Sequence, residues 1–444
     1  MSVDIRPLTP PLAPTRHRRR DVSVDLARAW CLVVVVCLHG LMVGVSVGAH
    51  GPVLQNALAG WPGFAALSWF VQIMPLVFVL GGFAAFTQWT SLQAKGATAS
   101  DYVALRLRRL LGPAVVAIAA VVVTLAALSA LGVPSAIVAI AGFHLGQPLW
   151  FLGVYIMVTS LAPVMVALHR RAPVVVLLAL AAMAAGIDVV RALTGVTVVG
   201  FANLLFVWLL VQQFGFWLAQ ERMPRRRSRL ALLAAASFGA LALLCALGVF
   251  SFDMLAELNP PSCALVLLGV GQLALFTLLR RPLRWLHAVL VVGAVSAWMN
   301  ARAMTIYLWH MLVLIALAGV LLIVRGAALP DPLSASWWVS RPIWLLVVVV
   351  AVAGAVWASA RWERDTKREA SRRGMAAGTS PASVVRVAAA AALGAGGVLV
   401  ILVTGFTMAG GVLGLSGVAA ALRLVTPSGS RGLVVSPPVR PAAG

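Results

Sequence analysis

The stretch DLARAWCLVVVVCLH, Asp25 to His39, sets three ionisable side chains in a run that is otherwise apolar. Extended to residue 47, it has about the 20 residues that cross a bilayer. Similar runs recur near 28–47, 66–90, 110–131, 148–168, 172–190, 201–219, 230–251, 262–279, 303–324, 342–360 and 387–409. A shorter run at 286–299 reads as an interfacial or re-entrant piece, or as an extension of the ninth span. Composition agrees. The 444 residues are 62% hydrophobic and 10% charged, with mean hydropathy +1.00, against about 45–50% apolar and 25% charged in soluble domains. A soluble enzyme, a disordered chain and a small disulfide scaffold are excluded. The expected fold is all-α, a polytopic membrane helix bundle of about ten core spans plus one extra C-terminal span.

The formal charge of +22 is almost entirely arginine, since lysine occurs only at Lys95 and Lys367. With the N-terminus in the cytoplasm, even-numbered turns return there at 91–109, 169–171, 220–229, 280–302 and 361–386. Of the 34 Lys and Arg, only Arg191, Arg325, Arg341, Arg423, Arg431 and Arg440 then fall outside cytoplasmic segments. This is the positive-inside pattern. It accounts for the charge without nucleic acid and leaves membrane lipid, its anionic headgroups included, as a partner. The expectation is a multi-pass protein of the cell (plasma) membrane. Cys31, Cys37, Cys245 and Cys263 form no CxxC pair and read as small buried hydrophobes, with no metal expected.

Residues 1–24, rich in Pro and Arg, read as a disordered basic cytoplasmic tail, 25–362 as the membrane domain and 363–383 as a cytoplasmic linker. Residues 384–424 hold the extra helix, and 425–444 read as a flexible tail. The first apolar run is interrupted by His39 and is followed by ten more, so it reads as an uncleaved span. No internal repeat emerges beyond the span rhythm.

Ionisable groups inside spans are costly and are functional candidates. Arg28 and His39 are eleven residues apart, about three helical turns, so they share a face with a rise of about 16 Å between them. They cannot touch each other, but they can touch two ends of one long ligand. Asp25 lies on the same side and can orient Arg28. The alternatives are a snorkelling Arg28 and a structural His39. Gly81-Gly82 permits close helix approach. Arg106, Arg108 and Arg109 precede the third span. Arg106 and Arg109 share a side and suit phosphates, although a cytoplasmic loop needs basic residues in any case. Trp150, in PLWFL at 148–152, sits where an aromatic belt is expected. Glu257 lies in the turn ELNPPSC, and facing a cavity is one reading of it. Tyr307 and His310 lie in TIYLWHM, about 12 Å into the ninth span. His17, His50, His144, His169 and His287 lie in loops.

In order along the chain, these pieces resemble the membrane acyltransferase-3 family. The first span with Arg28 and His39 is similar to its Arg-x10-His signature. FVLGGF, the arginines at 106–109, PLWFL, ELNPP and YLWH follow, over about residues 22 to 362. The resemblance implies an O-acyltransferase. It implies acyl-CoA, acetyl-CoA above all, as cytoplasmic co-substrate, and a hydroxyl-bearing acceptor that is a cell-envelope glycan, a lipid or a small-molecule metabolite. It makes His39 the catalytic histidine with Arg28 its partner, and Arg106, Arg109 and Arg108 the donor-phosphate contacts. Many relatives carry a soluble hydrolase-like domain after the last spans. This sequence has instead an extra helix and a short tail, so a two-step relay would need a separate outer-face partner enzyme.

The implied chemistry suits a buried histidine, which can take the proton of a poorly nucleophilic hydroxyl as it attacks a thioester. Acylation of His39 itself is the other route. Two readings from other classes stand beside it. A transporter or flippase of an envelope precursor predicts substrate movement without CoA release. A scaffold or receptor predicts that loss of His39 affects stability alone.

Overall fold

The computed structural model describes residues 21–48, 51–376 and 383–426. Calls made for residues 1–20, for His50, and for residues 377–382 and 427–444 therefore lie outside the described residues. The chain opens with α1 (Val22–Met42), then an antiparallel hairpin of β1 (Val43–Gly48) and β2 (Gly51–Asn56). Next come α2 (Phe64–Val71), α3 (Met74–Gln93), α4 (Ala99–Ala130), α5 (Ser135–Gly146) and α6 (Leu149–Arg171). They are followed by α7 (Pro173–Thr194), α8 (Thr197–Gly200), α9 (Asn203–Ala219), α10 (Arg227–Ala246) and α11 (Cys263–His287). The chain continues with α12 (Leu290–Ala301), α13 (Ala303–Arg325), α14 (Ala335–Ala376), α15 (Val384–Thr404) and α16 (Met408–Val425). Twelve helical segments are long and apolar enough to cross a membrane. The protein is a multi-pass membrane protein of the all-α class, with one short β-hairpin beside its helices.

The count corrects the expected eleven. The stretch after 404 is a second helix, α16, entered through Gly405 at φ 68° and capped by Thr407, whose hydroxyl accepts from the Gly410 N–H at 3.0 Å. The twelfth span returns the chain to the end where it began, so Arg423, expected outside, joins the basic end. It also moves the expected boundary at 425, because Val425 still belongs to α16. Likewise α14 continues helically to Ala376, so the linker expected at 363–383 is helix over its first part. The short run at 286–299 is a separate helix, α12, with Leu290, Val291 and Val295 exposed.

The third span begins at Ala99, about three turns before the expected 110. Thr98 and Asp101 form a capping box, with N–H···O distances of 3.2 and 2.9 Å, which starts the helix there. Arg106, Arg108 and Arg109 thus stand on helix, not in a loop. Asp21 caps α1 through the Ser23 N–H (3.1 Å) and is paired with Arg280 and, at 3.3 Å, Arg284 of α11. Burial raises its carboxyl, but the Ser23 hydrogen bonds and the two guanidiniums prevail and hold it at about 2, below the ordinary 3.8.

Two spans are broken. Between α2 and α3, at Gln72 and Ile73, the chain leaves backbone groups without helical partners. Gln272 of α11 meets both sides of the break, donating to the Gln72 carbonyl (2.8 Å) and accepting from the Leu76 N–H (3.0 Å). The Gln72 side chain donates to the Met254 carbonyl (3.0 Å). The second break, at Gln147-Pro148 between α5 and α6, is met by Tyr307 of α13, whose hydroxyl donates to the Pro148 carbonyl. Below these breaks α3 and α9 cross at backbone distance. A methyl at Gly82 would strike the Gln212 carbonyl oxygen, and one at Gly215 the Val79 carbonyl oxygen. The expected close approach is therefore made by Gly82, and Gly81 faces Tyr155 at ordinary contact distance. Phe78 stacks on Trp208 beside this crossing, with centroids 4.3 Å apart.

Two outcomes are expected. Gln272→Leu strands the carbonyl of buried Gln72 and the Leu76 N–H, at about 1–3 kcal/mol each, and lowers the melting temperature of the purified protein. An unchanged value would show that the break is satisfied otherwise. Asp21→Asn lowers the melting temperature at neutral pH. Because the folded carboxyl is depressed, its stabilisation is present above 3.8 and lost toward about 2, so the gap to wild type closes as pH falls through that window.

Candidate active site

One cavity of about 1480 Å³ runs between the two ends of the bundle. Its walls come from α1, α3, α4, α6, α13 and the C-terminal hairpin α15–α16. Six arginines line it, Arg28, Arg106, Arg108, Arg109, Arg302 and Arg423, and among the described lining residues there is no carboxylate. The charges of Arg28 and Arg106 both bear on Arg109, so α1 and α4 contribute to one basic cluster. Arg106 is oriented by Tyr102 one turn earlier, donating from Nε to the phenol oxygen at 3.3 Å. Arg108 turns back to the Ala104 carbonyl (3.3 Å).

His39 also lines the cavity, about 16 Å along α1 from Arg28. The shared face read from the spacing is therefore the face that borders the cavity. Behind His39, fully buried, lies His310 of α13. His39 Nδ1 and His310 Nε2 are 2.9 Å apart, with the ring planes 22° from parallel. His310 Nδ1 lies 2.5 Å from the Tyr307 carbonyl oxygen. A carbonyl only accepts, so the proton of neutral His310 sits on Nδ1 and its Nε2 is an acceptor. The hydrogen bond between the rings is then donated by His39 Nδ1. That tautomer leaves the lone pair of His39 on Nε2, the ring nitrogen with no hydrogen-bond partner among the described residues. Such an arrangement can accept a proton from a group in the cavity.

Tyr307 holds both ends of this device. Its carbonyl fixes His310, and its hydroxyl fixes the break at Pro148. Its ring lines the cavity edge-on to Phe151 at 5.1 Å. Its single hydroxyl proton is already engaged, so it is wall and brace. Trp150 lines the cavity too, with Trp208 behind it (centroids 6.1 Å), and does not stand in a lipid belt.

Two expected residues are not brought to the cavity. Asp25 is buried off the cavity lining, and its backbone carbonyl accepts from Asn300 Nδ2 at 2.7 Å. Glu257 is buried within its own loop, accepting from the Ser251 N–H (2.7 Å) and the Ser262 hydroxyl, and so staples the 251–262 turn. Tyr155 and Asn300 line the cavity without having been singled out, and Arg302 and Arg423, counted in the sequence only as topological charge, line it too. The rarity of tyrosine was a usable signal. The chain has three, and Tyr155 and Tyr307 line the cavity while Tyr102 holds Arg106.

The four cysteines are free thiols, and the described residues hold no group of three or more potential metal ligands. No curated protein and no solved structure matches the chain. A sequence model described as an acyltransferase domain matches residues 21–360, from the Asp21 cap of α1 to the membrane part of α14. That match covers most of the chain and every helix of the cavity except α15 and α16, and by it this protein belongs to the membrane acyltransferase-3 family and is an integral membrane O-acyltransferase.

Proposed function

We propose that the protein transfers an acyl group, acetyl in the first instance, from cytoplasmic acyl-CoA to a hydroxyl of a cell-envelope glycan, a lipid or a small metabolite. The observation that carries this reading is the cavity itself, basic at one end and holding a tautomerically fixed histidine about 16 Å away. An extended pantetheine arm spans a comparable distance. With the donor phosphates on Arg28, Arg106 and Arg109, the thioester reaches His39. Arginine suits that task because its charge is permanent and its fork matches phosphate oxygens. Gln147 and Asn259 line the other end and suit a polyhydroxyl acceptor. The concentration of arginine at the donor end supports a cytoplasmic N-terminus.

The step balances as follows. The acceptor oxygen attacks the thioester carbon while His39 Nε2 takes the hydroxyl proton. The tetrahedral intermediate collapses, the C–S bond breaks, and the leaving sulfur recovers that proton from His39, giving ester and CoA thiol. His310 touches no reacting atom. It is a positioning residue that holds the productive tautomer of His39 through the Tyr307 carbonyl.

The test is CoA release from acetyl-CoA by the purified protein in lipid discs. Slow release by the wild type is expected even without the native acceptor, and His39→Ala should lower it about 10²–10⁴-fold while the protein remains folded at the assay temperature. Release that survives this substitution would refute the assignment. If the wild type neither releases nor binds CoA, the donor reading is wrong and transport without CoA release takes its place. His310→Ala should lower kcat and shift its pH profile while the donor KM stays constant. A change in stability alone would make His310 merely structural. Arg106→Ala combined with Arg109→Ala should raise the donor KM more than it lowers kcat, and an equal fall in kcat with KM unchanged would overturn the binding role.

A further inference from the structure

The hairpin α15–α16 lies wholly beyond residues 21–360, yet it forms part of the cavity wall. Leu399, Ile401 and Leu402 face the cavity near one end of α15, and Leu422, Arg423 and Thr426 near the last turn of α16. The hairpin is built in rather than appended. Val387, Ala390, Val398, Ile401, Val418 and Ala421 belong to the same buried core as α4 and α6. A methyl at Gly397 or at Gly414 would collide with the facing helix, so the two helices meet at backbone distance. Arg386 Nη2 donates to the Leu424 carbonyl at 3.2 Å and ties the two ends together.

The register along α4 places Arg423. Gly411, early in α16, stands against Val122, and Ala421 and Leu111 both stand against Gly394 of α15. The two helices therefore run antiparallel, and residues late in α16 come level with residues near 110 in α4. Arg423 lies two residues past Ala421, and Arg109 two before Leu111, so both stand at the same level of the cavity mouth. Arg423 is exposed there, lines the cavity and has no carboxylate partner among the described residues.

We propose that Arg423, carried by a hairpin outside the family's own segment, is a further binding residue for the phosphate groups of the donor. This rests on the donor reading above and adds to it that the donor site of this chain is completed by α16. A guanidinium level with Arg109, facing the same space and without a counter-ion among the described residues, is placed to take an oxyanion that enters between α4 and α16.

The experiment is equilibrium binding of CoA, and of pantetheine as the phosphate-free probe, to the full chain in lipid discs. Wild type, Arg106→Ala, Arg423→Ala and Arg423→Lys are compared, with melting temperatures recorded. Arg423→Ala should weaken CoA binding about tenfold or more, as loss of a charge-assisted hydrogen bond does. It should leave pantetheine binding and the melting temperature unchanged, and Arg423→Lys should recover part of the loss. If Arg106→Ala weakens CoA binding and Arg423→Ala does not, the inference fails while the donor reading stands. If the wild type binds no CoA, both fail. Should Arg423→Ala lower the melting temperature, Arg423→Lys decides, because a purely structural role would then show equal loss for CoA and pantetheine.

Discussion

A break in a helix within the membrane frees backbone N–H and C=O groups where no water can meet them. The breaks around this cavity are met by side chains from distant helices. Gln272 bridges the gap between α2 and α3, Tyr307 reaches the Pro148 carbonyl, and Trp344 donates from Nε1 to the Gly40 carbonyl (2.7 Å) at the end of α1. These bonds tie α11 to α3, α13 to α6 and α14 to α1. The irregular backbone that opens the cavity is thus also what couples its walls. Without these bonds the open space would cost several unsatisfied groups, and closing the bundle on continuous helices would be preferred.

The same economy governs charge. Arginines gather at one end of the cavity, where their guanidiniums border a polar opening, and further in the ionisable groups are neutral ones, with His39 Nδ1 and the Tyr307 hydroxyl internally engaged. The arginines left at the opposite end are accommodated individually. Arg341 lies over Trp337 at 4.4 Å and donates to its carbonyl, and Arg191 stands 4.0 Å from Asp188. A cavity that is basic at one end and neutral further in orders an anionic, elongated ligand before any specific contact is made.

Hydropathy and arginine placement are one-dimensional signals, and they made most spans and the basic end readable from the sequence. The alignment of Arg28 with His39 was readable too, because eleven residues make about three turns of one helix. The breaks were not: apolar composition runs on through Gln72, and the stretch before Pro148, with His144 and Gln147 in it, read as a loop where the structure has α5. Nor was the His39–His310 contact, which joins residues 271 apart. Both histidines stood out as candidates, but nothing local to either names its partner. The last helix was hidden by glycine, which lowers its hydropathy while allowing its tight packing on α15. One missed span reverses the side of all that follows, which is why Arg423 was assigned to the wrong end. Glu257 stood out by type alone, and the turn it staples is fixed by contacts that its neighbours in sequence do not advertise.

The hydrogen-bond chain behind His39 ends on the Tyr307 carbonyl and not on a carboxylate. A carboxylate would stabilise an imidazolium and let it persist, whereas a peptide oxygen offers only a dipole. In the proposed transfer the proton is therefore borrowed within one turnover, from the acceptor hydroxyl to the departing sulfur, and none is drawn from either aqueous phase. Such a cycle is electroneutral in protons. Its driving force is the thioester alone, and it would run at the same rate in an energised membrane as in one whose proton gradient has collapsed.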